Sequence, residues 1–256
     1  MKPKVEVVGL AKTFHTRAGA VPVLDGLSFT VADGEFVAIV GPSGCGKSTL
    51  LHVLAGFEPP DAGEVLIDGA PVRRPSRKAV FIFQQPALFP WLDLTANLTF
   101  GLDGAPAETR ERLAAHYIDL VGLTGFERAF PRELSGGMQQ RAELARALIV
   151  KPEILYLDEP FAALDALTRL RLRAELVRIL TRERHTILLV THDVEEALHL
   201  ADRVIVLSVR PARIQTIVEV TALRPSRLAS PDLLGLKAAI LAELGVVEDT
   251  AGDGAP

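Results

Sequence analysis

Three short stretches of this chain carry residue types and spacings suited to chemistry on a phosphate. The first is Gly41-Pro42-Ser43-Gly44-Cys45-Gly46-Lys47-Ser48, followed by Thr49, which fills the eight-position pattern of a phosphate loop. Its glycines let the backbone curl so that several N–H groups converge on one phosphate chain, and a helix starting there adds partial positive charge. Lys47 would bring a full charge to the β- and γ-phosphates, and the Ser48 hydroxyl is placed to ligate Mg²⁺. The structural alternative is an ordinary glycine-rich turn; a strand before the loop and helix formers after it favour the phosphate reading. Cys45 reads as a small filler within the loop rather than a nucleophile.

The second stretch, Ile154-Leu155-Tyr156-Leu157-Asp158-Glu159-Pro160, is an apolar strand ending in two carboxylates. Such a strand can deliver Asp158 to hold Mg²⁺ through water and Glu159 to polarise a water attacking the γ-phosphate. An acidic strand end serving only as a helix cap is the alternative when the stretch stands alone. The third, Leu134-Ser135-Gly136-Gly137-Met138-Gln139-Gln140-Arg141, opens a helix with Ser135 as a natural N-cap. Two glycines there cost helix stability, roughly 0.5–1 kcal/mol each relative to Ala, and allow close backbone approach to an anion.

The elements that must position these residues follow from periodicity. Strands are predicted over residues 5–10, 27–31, 36–40, 64–67 and 79–83, with a tight turn at Asp68-Gly69. A helix is predicted over 47–55, stopped by Gly56. From Pro86 to about Val150 helical patterns dominate, over 95–101, 108–121 and 136–150. Strand then alternates with helix again: 154–157, 166–184, 186–190, 194–200 and 204–208, with a last helix at 231–244 and a polar tail at 248–256. That alternation argues for an α/β fold with a mostly parallel sheet and a helical lobe inserted into it.

Composition sets limits. The 256 residues suit one substantial domain, and 48 % apolar residues suffice for a large core. With aromatics at 5 %, that core must be built mainly from Leu, Val, Ala and Ile. A formal charge of -4 gives no electrostatic reason to expect nucleic acid as a main ligand. A lone cysteine suits a reducing compartment. No apolar run approaches the roughly 20 residues that span a bilayer, and the N-terminus shows no secretory pattern. The expectation is a soluble intracellular protein held at a membrane, if at all, by another protein.

Taken together, the phosphate loop, the acidic strand end and the Leu-Ser-Gly-Gly octapeptide resemble the motifs of ATP-binding cassette (ABC) ATPases, in the family's order and over residues 3–225. The resemblance implies a P-loop NTPase (RecA-like) core, an antiparallel β subdomain and an inserted helical signature lobe at about 86–150, with 226–256 as a C-terminal helix and tail. It implies ATP and Mg²⁺ as ligands and a head-to-tail homodimer. There Ser135, Gly136 and Gly137 of one chain face the phosphate held by Lys47 of the other, and Asp165 lies at the seam. It further implies Gln84 as a sensor of Mg²⁺ and γ-phosphate, His192 as a switch histidine, and Phe14 as the aromatic stacking on adenine. His15, His52, His116, His185 and His199 are left as surface or packing residues.

With one cassette and no membrane segment, the chain resembles the separate ATPase subunits of bacterial importers. Phe83-Gln84-Gln85-Pro86-Ala87-Leu88-Phe89-Pro90-Trp91 and Ser208-Val209-Arg210-Pro211-Ala212-Arg213-Ile214 are similar to segments of the nitrate/sulfonate/taurine subfamily, departing from it at Phe89 and Ala212. That implies integral-membrane permease partners, indirectly a solute-binding protein, and a place on the cytoplasmic face of the plasma membrane. Residues 88–91 read either as an exposed loop docking a partner's helix, with 97–102 and 128–132 lining the same groove, or as Trp91 buried in the lobe. The rival function is a non-transport ABC ATPase regulating an envelope-division or lipoprotein-release complex. The C-terminal helix reads as packing, dimer contact or regulation.

Overall fold

A computed structural model describes residues 2–162, 165–182, 185–220 and 231–245. The expected break at 224–226 and the polar tail therefore lie outside the described residues, as do Ala163 and Leu164. The chain begins with β1 (Val5–Thr16), β2 (Gly19–Val31), β3 (Phe36–Val40), α1 (Lys47–Ala55), β4 (Ala62–Ile67), β5 (Ala70–Pro71) and β6 (Ala79–Ile82). Three helices follow, α2 (Leu94–Thr99), α3 (Ala107–Leu120) and α4 (Gly136–Ile149). Alternation resumes with β7 (Ile154–Asp158), α5 (Ala166–Arg182), β8 (Thr186–Thr191), α6 (Val194–Leu200), β9 (Arg203–Leu207), β10 (Ile214–Glu219) and α7 (Pro231–Glu243).

The larger sheet has the order β10-β9-β3-β8-β7-β6, parallel throughout except where β10 runs against β9. Strands β3, β7 and β8 are buried along their whole length, which is why they read as uninterrupted apolar runs rather than alternating ones. Alternate residues serve two cores. Phe36, Ala38 and Val40 pack with Leu155, Leu157, Ile187 and Leu189 toward α4 and α6. Val37 and Ile39 pack with Tyr156, Leu188 and Val190 toward α1 and the smaller, antiparallel sheet β2-β1-β4-β5. Register then places the chemistry: Val40 pairs with Thr191, and Asp158 with Val190. Gly41, Glu159 and His192 therefore leave the sheet at one edge, at the carboxyl ends of adjacent strands, where α/β sheets bind ligands.

The helices and central strands lie within a residue or two of their predicted limits. The departures are in the antiparallel sheet and the far edge. β1 runs on to Thr16 and β2 starts at Gly19, forming one long hairpin. The polar Lys12 interrupts the apolar pattern, yet it is buried with its ammonium 2.8 Å from the Pro59 carbonyl and 3.5 Å from Asp61. That is tertiary satisfaction, which periodicity does not register. β10 is a half-exposed edge strand that no apolar run announces.

The helical lobe is fastened to the loop after Gln84 by Asn97, which is wholly buried. Its amide nitrogen donates to the carbonyls of Phe89, Leu92 and Asp93 (3.1, 2.9 and 3.1 Å), and its oxygen accepts from Phe89 N–H at 2.8 Å. Asp93 caps α2 by accepting from Ala96 N–H. The result is an outward-facing aromatic cluster. Trp91 is 69 % exposed and Phe100 55 %, with Phe89 between them. The 127–129 segment is bonded to the start of α2 through Leu94 and Thr95. Because Asn97→Ala strands several buried groups at once, it should lower unfolding stability by about 2–3 kcal/mol in urea titration. A loss under about 0.5 kcal/mol would show that the loop does not depend on it.

Candidate functional site

The phosphate loop is shaped by close packing. Gly46 caps α1 at φ 122°, and a Cβ there would lie 2.6 Å from Val23 Cγ1, so only glycine fits. A Cβ on Gly41 would meet the Leu207 side chain at 3.2 Å, seating the loop against the end of β9. The Lys47 ammonium donates to the carbonyls of Gly41 and Pro42 at 2.9 and 3.0 Å. Cys45 is buried, its N–H bonded to the Pro42 carbonyl, and burial pushes its thiol up, as befits an inert filler.

Strand β7 brings its carboxylates to this loop. The Ser48 hydroxyl donates to Asp158 Oδ1 at 3.0 Å, and Asp158 is buried. Burial raises the Asp158 pKa, and the Ser48 hydrogen bond opposes that rise. A hydroxyl and a carboxylate side by side, with room for waters, suit Mg²⁺, which keeps much of its hydration shell. Among the described residues no cluster of three or more His, Cys, Asp or Glu forms a closed metal cage.

Glu159 has φ 48°, rare for a non-glycine residue, and is held there by its N–H on the Val190 carbonyl at 2.9 Å. Two other sequence-selected residues converge on its Oε2: Gln84 Nε2 at 3.5 Å and His192 Nδ1 at 3.1 Å. An open cleft of about 610 Å³ is lined by Ser43, Gly44, Gly46, Lys47, Ser48 and Thr49, by Gln84, Glu159 and His192, and by Phe14. Val23 and Arg210 complete the lining. The sequence pattern marks neither as a site residue. Arg210 lay in a segment that carried only a subfamily resemblance, and β2 had no chemistry to mark it.

Other expected residues stand apart from this cleft. Ser135 caps α4, accepting from Met138 N–H at 3.3 Å, and a Cβ on Gly136 would meet open space. Asp165 is exposed, accepts from Thr168 N–H at 3.0 Å, and has a lowered pKa chiefly through the Thr168 side-chain hydrogen bond, with that N–H second. Ser135, Gly136, Gly137 and Asp165 do not line the cleft that holds Lys47 of the same chain.

Two buried carboxyls support the site from beneath. Glu196 on α6 is bonded to the Thr191 hydroxyl, next to His192, while Arg173 holds Asp193 at 2.8 Å. Burial is the chief influence that lifts Glu196 to about 7. Glu143 on α4 accepts from Ala87 N–H at 3.1 Å, tying the helix begun by Ser135 to the loop begun by Gln84, and burial raises it to about 7 as well. Asp193 is lowered, because the Glu196 N–H and Arg173 outweigh its burial.

The "ABC transporter" family model matches residues 24–162. An uncharacterized ABC transporter ATP-binding protein of Methanocaldococcus jannaschii is 46 % identical over 94 % of this chain and 91 % of its own length. The aliphatic sulfonates import ATP-binding protein of Bacillus cereus is 41 % identical over 84 % of this chain and 85 % of its own. An ATP-binding cassette solved as a dimer in a post-hydrolysis state with ADP and phosphate superposes with a TM-score of 0.76 at 31 % identity, covering 86 % of this chain and all of that one.

The two raised carboxyls fix a pH dependence. Each binds its proton more tightly in the folded chain, so its stabilising contribution is full below its ordinary value of 4.5 and is lost as pH rises through about 7. Thermal stability should therefore fall between pH 5 and pH 8, by on the order of 2–3 kcal/mol per carboxyl at most. Unfolding scans of the Glu143→Gln, Glu196→Gln double variant should show a flatter profile. A profile parallel to wild type would remove both groups as the cause.

Proposed function

This chain belongs to the ABC transporter ATP-binding family, an ATPase fold that works as a transporter subunit, and from that premise we propose that two copies energise an importer of nitrate, a sulfonate, taurine or a related small solute. The observation that carries the site reading is the convergence of Gln84, Glu159 and His192 at one sheet edge beside Lys47 and Ser48. Import is supported by the aliphatic sulfonate relatives and by the two segments at 83–91 and 208–214.

In this mechanism Phe14 supports the adenine, and the backbone of Gly41 to Thr49 cradles the phosphates with Lys47. Ser48, Asp158 and Gln84 would hold Mg²⁺, and the ion would supply charge neutralisation to the phosphates. Glu159 accepts a proton from the attacking water, and His192 holds Glu159 and the γ-phosphate region in register. The chain supplies positioning and charge stabilisation and forms no covalent bond. Because Ser135, Gly136 and Gly137 do not line the cleft of their own Lys47, they serve the nucleotide of a second copy, with Asp165 at the seam. ATP binding draws the copies together and hydrolysis separates them. The exposed cluster of Trp91, Phe89 and Phe100 is where a permease's helix docks. That docking holds the pair at the cytoplasmic face of the membrane and transmits the motion to a permease fed by a solute-binding protein.

Glu159→Gln should keep ATP affinity within about twofold of wild type while lowering turnover at least 100-fold, a loss of about 2.7 kcal/mol in transition-state stabilisation. Calorimetric binding and phosphate release measure the two halves. Hydrolysis near the wild-type rate would sink the assignment of Glu159. Affinity capture from a membrane extract tests the transport role, with co-purification of a multi-span permease as the expected result.

A further inference from the structure

Arg210 shares the lining of the cleft with Phe14, Val23 and Ser43, although the motifs of the phosphate site do not include it. The loop that carries it is rigidly seated. The Ala212 N–H donates to the Val23 carbonyl at 2.8 Å, and the Asp25 N–H donates to the Ala212 carbonyl at 3.0 Å. Arg213 is clamped to Asp25 through two nitrogens, at 2.8 and 2.5 Å. Ser208 and Arg213 close the loop on themselves through backbone and hydroxyl bonds of 2.9 Å. Val23 is also the residue that Gly46 abuts, so the Arg210 loop and the phosphate loop flank the same piece of β2.

The neighbouring Arg213 is thus spent on a structural ion pair. Arg210 is exposed and has no ion pair among the described residues. A guanidinium without a carboxylate, fixed at the rim of a site for a polyanion, is placed to contact that anion, and its planar fork suits phosphate and ribose oxygens. Lys47 and Ser48 lie on the phosphate loop, and Phe14 pairs with Val21 on β2, two residues from the Val23 that Gly46 abuts. The Arg210 loop is bonded to β2 at Val23, between these two groups.

We propose that Arg210 is a nucleotide-binding residue that contacts the ribose and α-phosphate stretch of the nucleotide from the β9–β10 loop. The proposal rests on the reading of this cleft as the nucleotide site. A contact there is common to ATP and ADP, so it sets affinity for both and does not discriminate between them.

Calorimetric titration with ADP and with ATP tests it, using Arg210→Ala, Arg210→Lys and, as the marker of the site itself, Lys47→Ala. Arg210→Ala should weaken ADP and ATP by the same factor, about five- to tenfold, and the loss should shrink as salt is raised. Arg210→Lys should recover part of it, which a purely structural role would not allow, and the thermal midpoint should match wild type. If Lys47→Ala weakens ATP but Arg210→Ala leaves ADP within twofold of wild type, the proposal is overturned and the site reading stands. If Lys47→Ala also leaves ATP binding intact, the cleft is not the nucleotide site and both readings fall.

Discussion

The parallel pairing of β3 with β8 and of β8 with β7 is the constraint on which the rest depends. It fixes the relative height of three strand ends, and so of Gly41, Glu159 and His192. A slip of one residue would turn every side chain of a strand to the opposite face. Such a slip is opposed because both faces are buried: Phe36 and Val37, or Leu188 and Leu189, each belong to a different core. Hydrophobic packing on two sides thereby sets the position of polar groups to within a hydrogen bond. Glu159 shows the consequence. Its left-handed backbone is held by the Val190 carbonyl of the next strand, a bond that exists only in this register.

The lobe is joined to this frame by polar links rather than by more core. Glu143 ties α4 to the Gln84 loop through Ala87, and Asn97 ties the same loop to α2. Arg146, on the same helix that Ser135 caps, lies over the ring of Phe89, which itself contacts the exposed Trp91. One loop therefore links Gln84, the helix that Ser135 caps and the outward aromatic surface. A displacement at any one of these has a short path of hydrogen bonds to the other two.

Much of this was legible in the sequence where local chemistry and periodicity agree. Buried parallel strands give unbroken apolar runs, and the loop of Gly41 to Ser48 has a pattern with few other uses, so the core and phosphate loop could be read directly. Asp158, Glu159 and His192 were visible because each ends such a run. What escaped notice depends on contacts distant in sequence. Lys12 looks like an interruption until Pro59 and Asp61 reach it, and Arg210 looks like a surface residue until Ala212 is found bonded to Val23. Glu143 and Glu196 give no sequence signal at all. Their raised pKa values arise from burial, which a helix-periodic Glu does not reveal.

We propose that a second copy is part of the working site, because Ser135, Gly136 and Gly137 do not line the cleft that holds Lys47 of their own chain. Light scattering on the eluting Glu159→Gln chain, with and without MgATP, measures this most directly. The chain should be a monomer without nucleotide and a dimer with it, and adding Ser135→Arg should leave ATP bound to a monomer. A Glu159→Gln chain that stays monomeric when saturated with ATP, or a Ser135→Arg chain that dimerises equally well, would contradict a site divided between two chains.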